Sequence, residues 1–118
     1  MSLPNIQNEI NAGIVSDYYA ELFRTLTFIK DTPTHYFYNK LSEETGEVAE
    51  VAAAFMGSET KIDKLLKKHI TITDAMLEEL SDTYNVVMIL AARHGLSITD
   101  IIEEGTRKLK SKNDNREV

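Results

Sequence analysis

The chain has no cysteine, no tryptophan, two prolines and five glycines among 118 residues. Without cysteine, a disulfide framework, a thiol nucleophile and a thiolate metal site are excluded. Because breaks are few and apolar residues recur at helical rather than alternating spacing, we predict an all-α fold. The longest apolar run, Val86 to Ala92, is far shorter than the roughly 20 residues that span a bilayer, so no membrane partner is expected.

Positive charge is also scarce. Thirteen Lys and Arg residues face 19 Asp and Glu residues, which gives a net charge of −6. Nucleic-acid polymers are bound largely through Lys and Arg on phosphates, so no such polymer is expected as a partner. The first residues lack the basic and apolar segments of a secretory signal, which favours a cytoplasmic location. The length predicts one domain over residues 1–118.

The apolar spacing predicts four main helices. The first covers about Val15 to Lys30. The second follows Thr32, a candidate N-cap, has Pro33 in its first turn, and stops at Gly57. The lysine-rich segment from Ser58 to Thr71 is expected to add one or two helical turns.

The third helix is predicted to begin at Thr73-Asp74 and to run to about His94. Ser97-Ile98-Thr99-Asp100 resembles a capping box and opens the fourth helix. The segment from Ser111 to Val118 is expected to be frayed or ordered by a ligand. Because the third helix is apolar on every side after Asp82, it must be enclosed. We therefore expect a homodimer or homotetramer whose subunits share a core, a buried helix in a monomer being the alternative.

Two acidic pairs interrupt otherwise apolar helices. Glu44 and Glu47 are three residues apart, as are Glu79 and Asp82, so each pair projects from one side of its helix with Cβ atoms roughly 5 to 6 Å apart. If the helices face each other, four carboxylates converge. Two carboxylates about 5 Å apart repel by roughly 3 kcal/mol at an effective dielectric near 20, and a divalent cation would remove that penalty. Solvated helix faces are the alternative.

Oxygen ligands without Cys or a nearby His favour Mg²⁺, with Mn²⁺ as a substitute. The stretch Lys40 to Glu50, followed by Glu79-Leu80-Ser81-Asp82, resembles the MazG-like nucleotide pyrophosphohydrolases of the all-α NTP pyrophosphatase superfamily. The ordered E-E-x-x-E and E-x-x-D motifs are that family's signature, and the resemblance covers about Tyr36 to Lys112. It implies a four-helix MazG-like bundle and Mg²⁺-dependent hydrolysis of a nucleoside triphosphate to the monophosphate and pyrophosphate, for nucleotide-pool house-cleaning.

Carried over residue by residue, the resemblance makes Glu44, Glu47, Glu79 and Asp82 the metal ligands. Either Glu43 or Glu47 would be the base that positions the attacking water, and spacing does not decide between them. The 31 residues between Glu47 and Glu79 form a long connection for the family, and the lysine-rich segment looks like an insertion.

Contacts to the substrate's phosphates, sugar or base are predicted for basic, amide and aromatic side chains near the motifs. The candidates are Lys40, Asn85, Lys108, Lys112, Arg116 and Tyr36. His69 and His94 have no partner at ligand spacing and are predicted to be structural or exposed.

Three other classes of function place acidic residues on helices and are weighed against this one. A carboxylate-bridged di-iron protein usually carries Glu-x-x-His on two helices, and this sequence has no such motif. A non-catalytic helical oligomeric regulator or interaction protein would retain the acids without turnover. A phosphoribosyl-ATP pyrophosphatase-like enzyme belongs to the same superfamily, but no residue selects its substrate.

Overall fold

The computed structural model describes residues 12–116. Five α-helices and no strand occur within them. The helices are α1 (Ala12–Phe28), α2 (Thr34–Phe55), α3 (Glu59–Lys67), α4 (Ile72–Arg93) and α5 (Ile98–Arg116). The all-α prediction is therefore confirmed, whereas the MazG-like bundle, the single domain and the oligomer remain predictions. Val118, in the predicted C-terminal segment, lies outside the described residues, as do Met1 to Asn5 at the predicted signal-free start.

The chain divides after Thr32 into two compact units. The first contains α1, which begins and ends slightly earlier than predicted. On this helix Arg24 forms an ion pair with Glu21 at 3.0 Å, and Phe23 and Phe28 are 72% and 80% exposed. The second unit, from Pro33 onward, contains α2 to α5 and all the predicted site residues.

The start of α2 differs from the prediction. Thr32 is not its N-cap, because the helix begins at Thr34 and Thr32 lies one residue before the cap position; its backbone N–H donates to the carbonyl of Ile29 at 2.8 Å in the turn after α1. Pro33 occupies the cap position with an extended backbone, and no side-chain hydrogen bond caps the helix. The end of α2 is as predicted: Gly57 follows it with a φ of 92°, a conformation that glycine adopts without a steric penalty.

The connection after α2 is more helical than predicted. α3 has nine residues, about two and a half turns, where one or two turns were expected. α4 begins earlier than Thr73, because Thr71 is its N-cap and accepts a hydrogen bond from the backbone N–H of Asp74 at 3.1 Å. Between these helices His69 has a φ of 56°, which is uncommon for a residue with a side chain.

The predicted capping box at the start of α5 is confirmed. The backbone N–H of Ser97 donates to Asp100 Oδ2 at 2.8 Å, and the N–H of Asp100 donates to Ser97 Oγ at 3.1 Å. Of the two alternatives predicted for the end of this helix, fraying from Ser111 is wrong, since α5 continues to Arg116; ordering by a ligand stays a prediction. α5 turns away from α4 by 111° and, among the described helices, packs only against α4.

α2 and α4 form the main packing interface and run antiparallel. At one end Arg93, the last residue of α4, donates to Thr34 Oγ1 at the start of α2, and its guanidinium lies 5.3 Å from the centre of the Phe37 ring. The buried apolar side chains of residues 12–116 all come from these two helices: Phe37, Val51, Ala54, Ala75, Val86, Met88, Ile89 and Ala91.

The apolar run from Val86 to Ala92 is mostly covered within one chain. Val86, Met88, Ile89 and Ala91 are buried, and only Ala92 of the run is exposed. Packing of α2 against α4 thus buries most of the apolar run that was predicted to need a partner. No single helix within residues 12–116 has the length and hydropathy to cross a membrane, and only the bent pair α4 and α5 together meets those criteria.

Candidate metal centre

Three carboxylates from the two central helices converge on one point. Glu44 on α2 and Glu79 and Asp82 on α4 each place one carboxylate oxygen within 4.8 Å of the others. The cluster is graded in burial, since Glu44 is 5% exposed, Glu79 is half-buried and Asp82 is exposed. Glu44 is the only buried charged residue in the part of the chain that the structure describes. The group therefore opens toward solvent on the side of Asp82.

Two oxygens in this cluster lack a donor. Glu44 Oε2 and Glu79 Oε2 are buried, and neither has a hydrogen-bond partner among residues 12–116. Buried polar atoms in native proteins are nearly always paired, and an unpaired one costs about 1–3 kcal/mol, more when it is charged. A cation in contact with both oxygens would remove this cost.

The crowding changes the acidity of Glu79. Burial raises its pKa from 4.5 to about 7, and hydrogen bonding to Glu47 and the negative charges of Glu47, Asp82 and Glu44 act in the same direction. A carboxyl group whose negative form is destabilised by its neighbours is a common feature of sites that hold a cation or move a proton. The alternative of solvated acidic side chains holds for the exposed Asp82 but not for Glu44, which is buried.

Among residues 12–116, Lys40 is the only basic residue that forms an ion pair with a member of this cluster. Its Nζ lies 3.3 Å from Glu44 Oε1 and 3.2 Å from Glu43 Oε1. Hydrogen bonds to Glu43 and Glu44 raise the pKa of Lys40 above its usual value, so the side chain remains an ammonium ion. Lys40 neutralises one oxygen of Glu44 and leaves the other, Oε2, without a donor.

The remaining two acids of the first motif lie apart from the group of three. Glu47 is half-buried, lies outside the group within 4.8 Å, and approaches it through Glu79. Glu43 points to Lys40 instead, and its side chain is 56% exposed. The predicted facing of the two motifs is thus found for three of the four acids, with Glu47 beside them.

The predicted substrate contacts are spread over a wider area. Tyr36 is 51% exposed and packs edge-to-face on Phe37, with ring centres 5.1 Å apart. Asn85 is exposed, one turn after Asp82 on α4. Both lie on the helices that form the cluster.

The basic residues of α5 are not brought to the cluster of the same chain. Lys108, Lys112 and Arg116 are exposed on a helix that does not contact α2 and that leaves α4 from its far end. Lys108 lines an open, largely apolar cavity of about 670 Å³ together with Leu96 and Ile101. The sequence spacing carried no information on the 111° turn that directs α5 away.

One contact was missed by the sequence reasoning. Tyr38 Oη and His94 Nε2 share a hydrogen bond of 2.6 Å, with ring centres 5.8 Å apart. His94 is exposed, which was one of the two predicted alternatives. It also has a hydrogen-bond partner, Tyr38, on the other central helix. Because 56 positions separate the two residues, only knowledge of the register between α2 and α4 would have found this pair.

The donor set fits a hard divalent cation. All candidate ligands are carboxylate oxygens, and neither Cys nor His belongs to the group. Mg²⁺ and Mn²⁺ take such ligands, and Mg²⁺ usually keeps several waters beside one or two protein carboxylates, which suits a group open to solvent at Asp82.

Comparisons with family models, with curated proteins and with solved structures found no match for this chain. The resemblance to MazG-like enzymes therefore stays a prediction from the two acidic motifs of the sequence.

Proposed function

We propose that this chain is a MazG-like, Mg²⁺-dependent nucleoside triphosphate pyrophosphohydrolase that converts a ribo- or deoxyribonucleoside triphosphate and water to the monophosphate and pyrophosphate. The observation that carries the proposal is the convergence of Glu44, Glu79 and Asp82, with two buried oxygens that lack donors. Cytoplasmic clearance of unwanted nucleotides is the role that such an activity would serve.

In this proposal Glu44, Glu79 and Asp82 hold the Mg²⁺, and Glu47 supports Glu79. The ion would neutralise phosphate oxygens and so lower the barrier to attack by water. Glu47 is favoured over Glu43 as the base, because it lies beside Glu79 whereas Glu43 is engaged by Lys40 and exposed. A base must be within hydrogen-bond reach of the water that it activates, which Glu47 satisfies better from this position.

Lys40 and Tyr36 are the substrate contacts that the arrangement supports best. Lys40 holds its ammonium at the edge of the acidic cluster, where a phosphate oxygen could replace Glu43 as its partner. The exposed ring of Tyr36 offers a face for a nucleobase. The α5 residues Lys108, Lys112 and Arg116 have no such support within one chain.

Homo-oligomerisation remains part of the proposal, but its support is now a stripe of exposed apolar side chains on α4 and not the apolar run. Leu77, Leu80 and Tyr84 follow one another at helical spacing on α4 and are 64%, 52% and 51% exposed. A second copy of the chain is the proposed occupant of this stripe, because stable dimers bury about 800 Å² per partner around an apolar centre. Light scattering should give a dimer or tetramer for the wild type and a monomer for Leu80→Glu; a monomeric wild type would refute this.

The activity is tested by incubating the protein with Mg²⁺ and a panel of common, deoxy and modified nucleoside triphosphates. Pyrophosphate and monophosphate should appear together in equal amounts. Glu44→Gln should abolish both products, whereas the neighbouring and exposed Thr45→Val should leave them unchanged. Absence of product from every triphosphate would reject the enzyme and favour a non-catalytic helical regulator.

A further inference from the structure

Two lysines of α3 and the lysine at its C-cap share one side of that helix. Lys61, Lys64 and Lys68 are spaced by three and four residues, so they lie on neighbouring turns on the same side. Together with Glu50 and Leu65 they line a small cavity of about 60 Å³ between α3 and α2. The insertion-like segment thus presents its positive charge toward α2.

The charges at this face do not balance. Lys61 Nζ lies 3.4 Å from Glu50 Oε1, and Lys64 Nζ lies 3.9 Å from Glu50 Oε2. Both oxygens of the one carboxylate are thereby used, and Lys68 has no ion pair with any residue between 12 and 116. A second cavity shares Lys64 and Lys68 and is also lined by Asp63 and Lys67, so four ammonium groups face two carboxylates and a local surplus of positive charge remains.

This positive face lies further along α2 than the acidic cluster, because its carboxylate, Glu50, is six residues or about 9 Å beyond Glu44. Glu50 lies one turn after Glu47 on α2, about 4.5 Å along the helix axis. At the other end Lys40 lies one turn before Glu44 and contacts it. Along α2 the carboxylates are therefore flanked on both sides by lysines, an order that suits a ligand with several linked phosphates better than a single phosphate ion.

We propose that Lys61, Lys64 and Lys68 form an anion subsite for the phosphate chain of the substrate, at the opposite end of the acidic cluster from Lys40. The assignment to a nucleotide's phosphates rests on the proposed function. In the free protein Glu50 holds two of the lysines, and a phosphate group competes with that carboxylate for them. An anionic chain bound here lies beside the carboxylates that would hold Mg²⁺.

The probe is inorganic tripolyphosphate, and calorimetry with metal-free protein in EDTA measures its dissociation constant. The variant Lys61→Met/Lys64→Met/Lys68→Met keeps the apolar stems and removes three charges. The control Lys30→Met/Arg107→Met/Lys110→Met removes three charges from basic residues outside both cavities that the proposed lysines line. Tripolyphosphate should bind at least tenfold more weakly to the first variant and less than twofold more weakly to the control. Equal weakening in both would overturn the subsite.

A second variant acts in the opposite direction and does not depend on the tolerance of a triple substitution. Glu50→Gln frees Lys61 and Lys64 from their competitor, so tripolyphosphate should bind several-fold more tightly; unchanged or weaker binding contradicts the proposal. Tighter binding of a single-stranded oligonucleotide than of tripolyphosphate would also overturn it in favour of a polymer site.

The outcome is separable from that of the proposed function. Lysine-dependent binding of tripolyphosphate without turnover of any triphosphate would reject the enzyme and keep the anion subsite. Turnover with an unchanged KM in the α3 triple variant would keep the enzyme and reject the subsite.

Discussion

Replacing Glu79 by glutamine should make the metal-free protein more stable at pH 8. The pKa of Glu79 is raised from 4.5 to about 7, mainly by burial and also by Glu47, Asp82 and Glu44. At roughly 1.4 kcal/mol per pH unit, this shift corresponds to about 3 kcal/mol of unfavourable free energy when the folded protein carries the charge. Glutamine removes that charge while keeping the size of the side chain.

The sign of the pH dependence follows from the direction of the shift. Because the folded-state pKa is higher than the unfolded one, the folded protein binds the extra proton, and its stability falls as the pH rises from 4.5 through 7. The wild type and Glu79→Gln should therefore have similar stability near pH 4.5. Above pH 7 the variant should gain up to about 3 kcal/mol, on the order of 10 °C in melting temperature for a chain of this size.

The assay is thermal and urea unfolding in EDTA, followed by circular dichroism, for the wild type, Glu79→Gln and Glu78→Gln. Glu78 is the exposed neighbour on α4 and controls for the loss of one acid from the same helix. Millimolar Mg²⁺ should stabilise the wild type and have little effect on Glu79→Gln, because ligands stabilise the state that binds them. A Glu79→Gln variant that is no more stable than the wild type at pH 8 in EDTA would refute the reasoning.

Three further outcomes are expected. Asp82→Asn should reduce the rise in melting temperature caused by millimolar Mg²⁺, and an equal rise in both proteins would show that Asp82 is not a ligand. His69→Gly should raise the free energy of unfolding by about 1 kcal/mol in urea, because glycine adopts the φ of 56° without the steric penalty of a side chain; a loss of stability would contradict this. Ser97→Ala should lower the free energy of unfolding by about 1 kcal/mol by removing one half of the α5 capping box, with Ser111→Ala as the neutral control on the same helix.

The ends of the two central helices could be predicted because local chemistry sets them. Gly57 and Gly95 adopt positive φ values after α2 and α4, and the Ser97 capping box depends only on residues four positions apart or fewer. The errors arose where signals competed. Thr32 and Thr71 both precede helices, but Pro33 takes the cap position of α2, whereas Thr71 caps α4 by accepting a hydrogen bond from the N–H of Asp74.

The C-terminal part of α5 shows what composition leaves undetermined. Residues 111–116 are polar and contribute no buried side chain, so neither apolar spacing nor packing predicts that the helix continues to Arg116. The direction of α5 is equally absent from the sequence, since it depends on the corner after Gly95. Residue spacing alone therefore could not show whether Lys108, Lys112 and Arg116 reach the site.

The acidic cluster itself was predictable in kind but not in membership. Spacing by three residues places Glu44 with Glu47 and Glu79 with Asp82, but it does not say which member of a pair points at the other helix. That choice depends on the rotation of α2 against α4, which buries Glu44 with Phe37 and Val51 at intervals of seven residues and leaves Glu47 at the edge.

The same rotation of α2 against α4 explains why positive and negative side chains in this region alternate in separate groups. With Glu44 turned inward, Lys40 one turn earlier reaches it, while Glu50 one turn after Glu47 is turned toward α3 and meets Lys61. Positive, negative and positive charge therefore follow one another along the length of α2, with Glu44 facing α4 and Glu50 facing α3. A metal ion alone would use only the carboxylates. The proposed metal-bound phosphate chain would also use the lysines on either side of them. Measuring Mg²⁺ and tripolyphosphate binding separately, then together, decides between the two: binding of each should strengthen the other in the wild type and be independent when the α3 lysines are replaced.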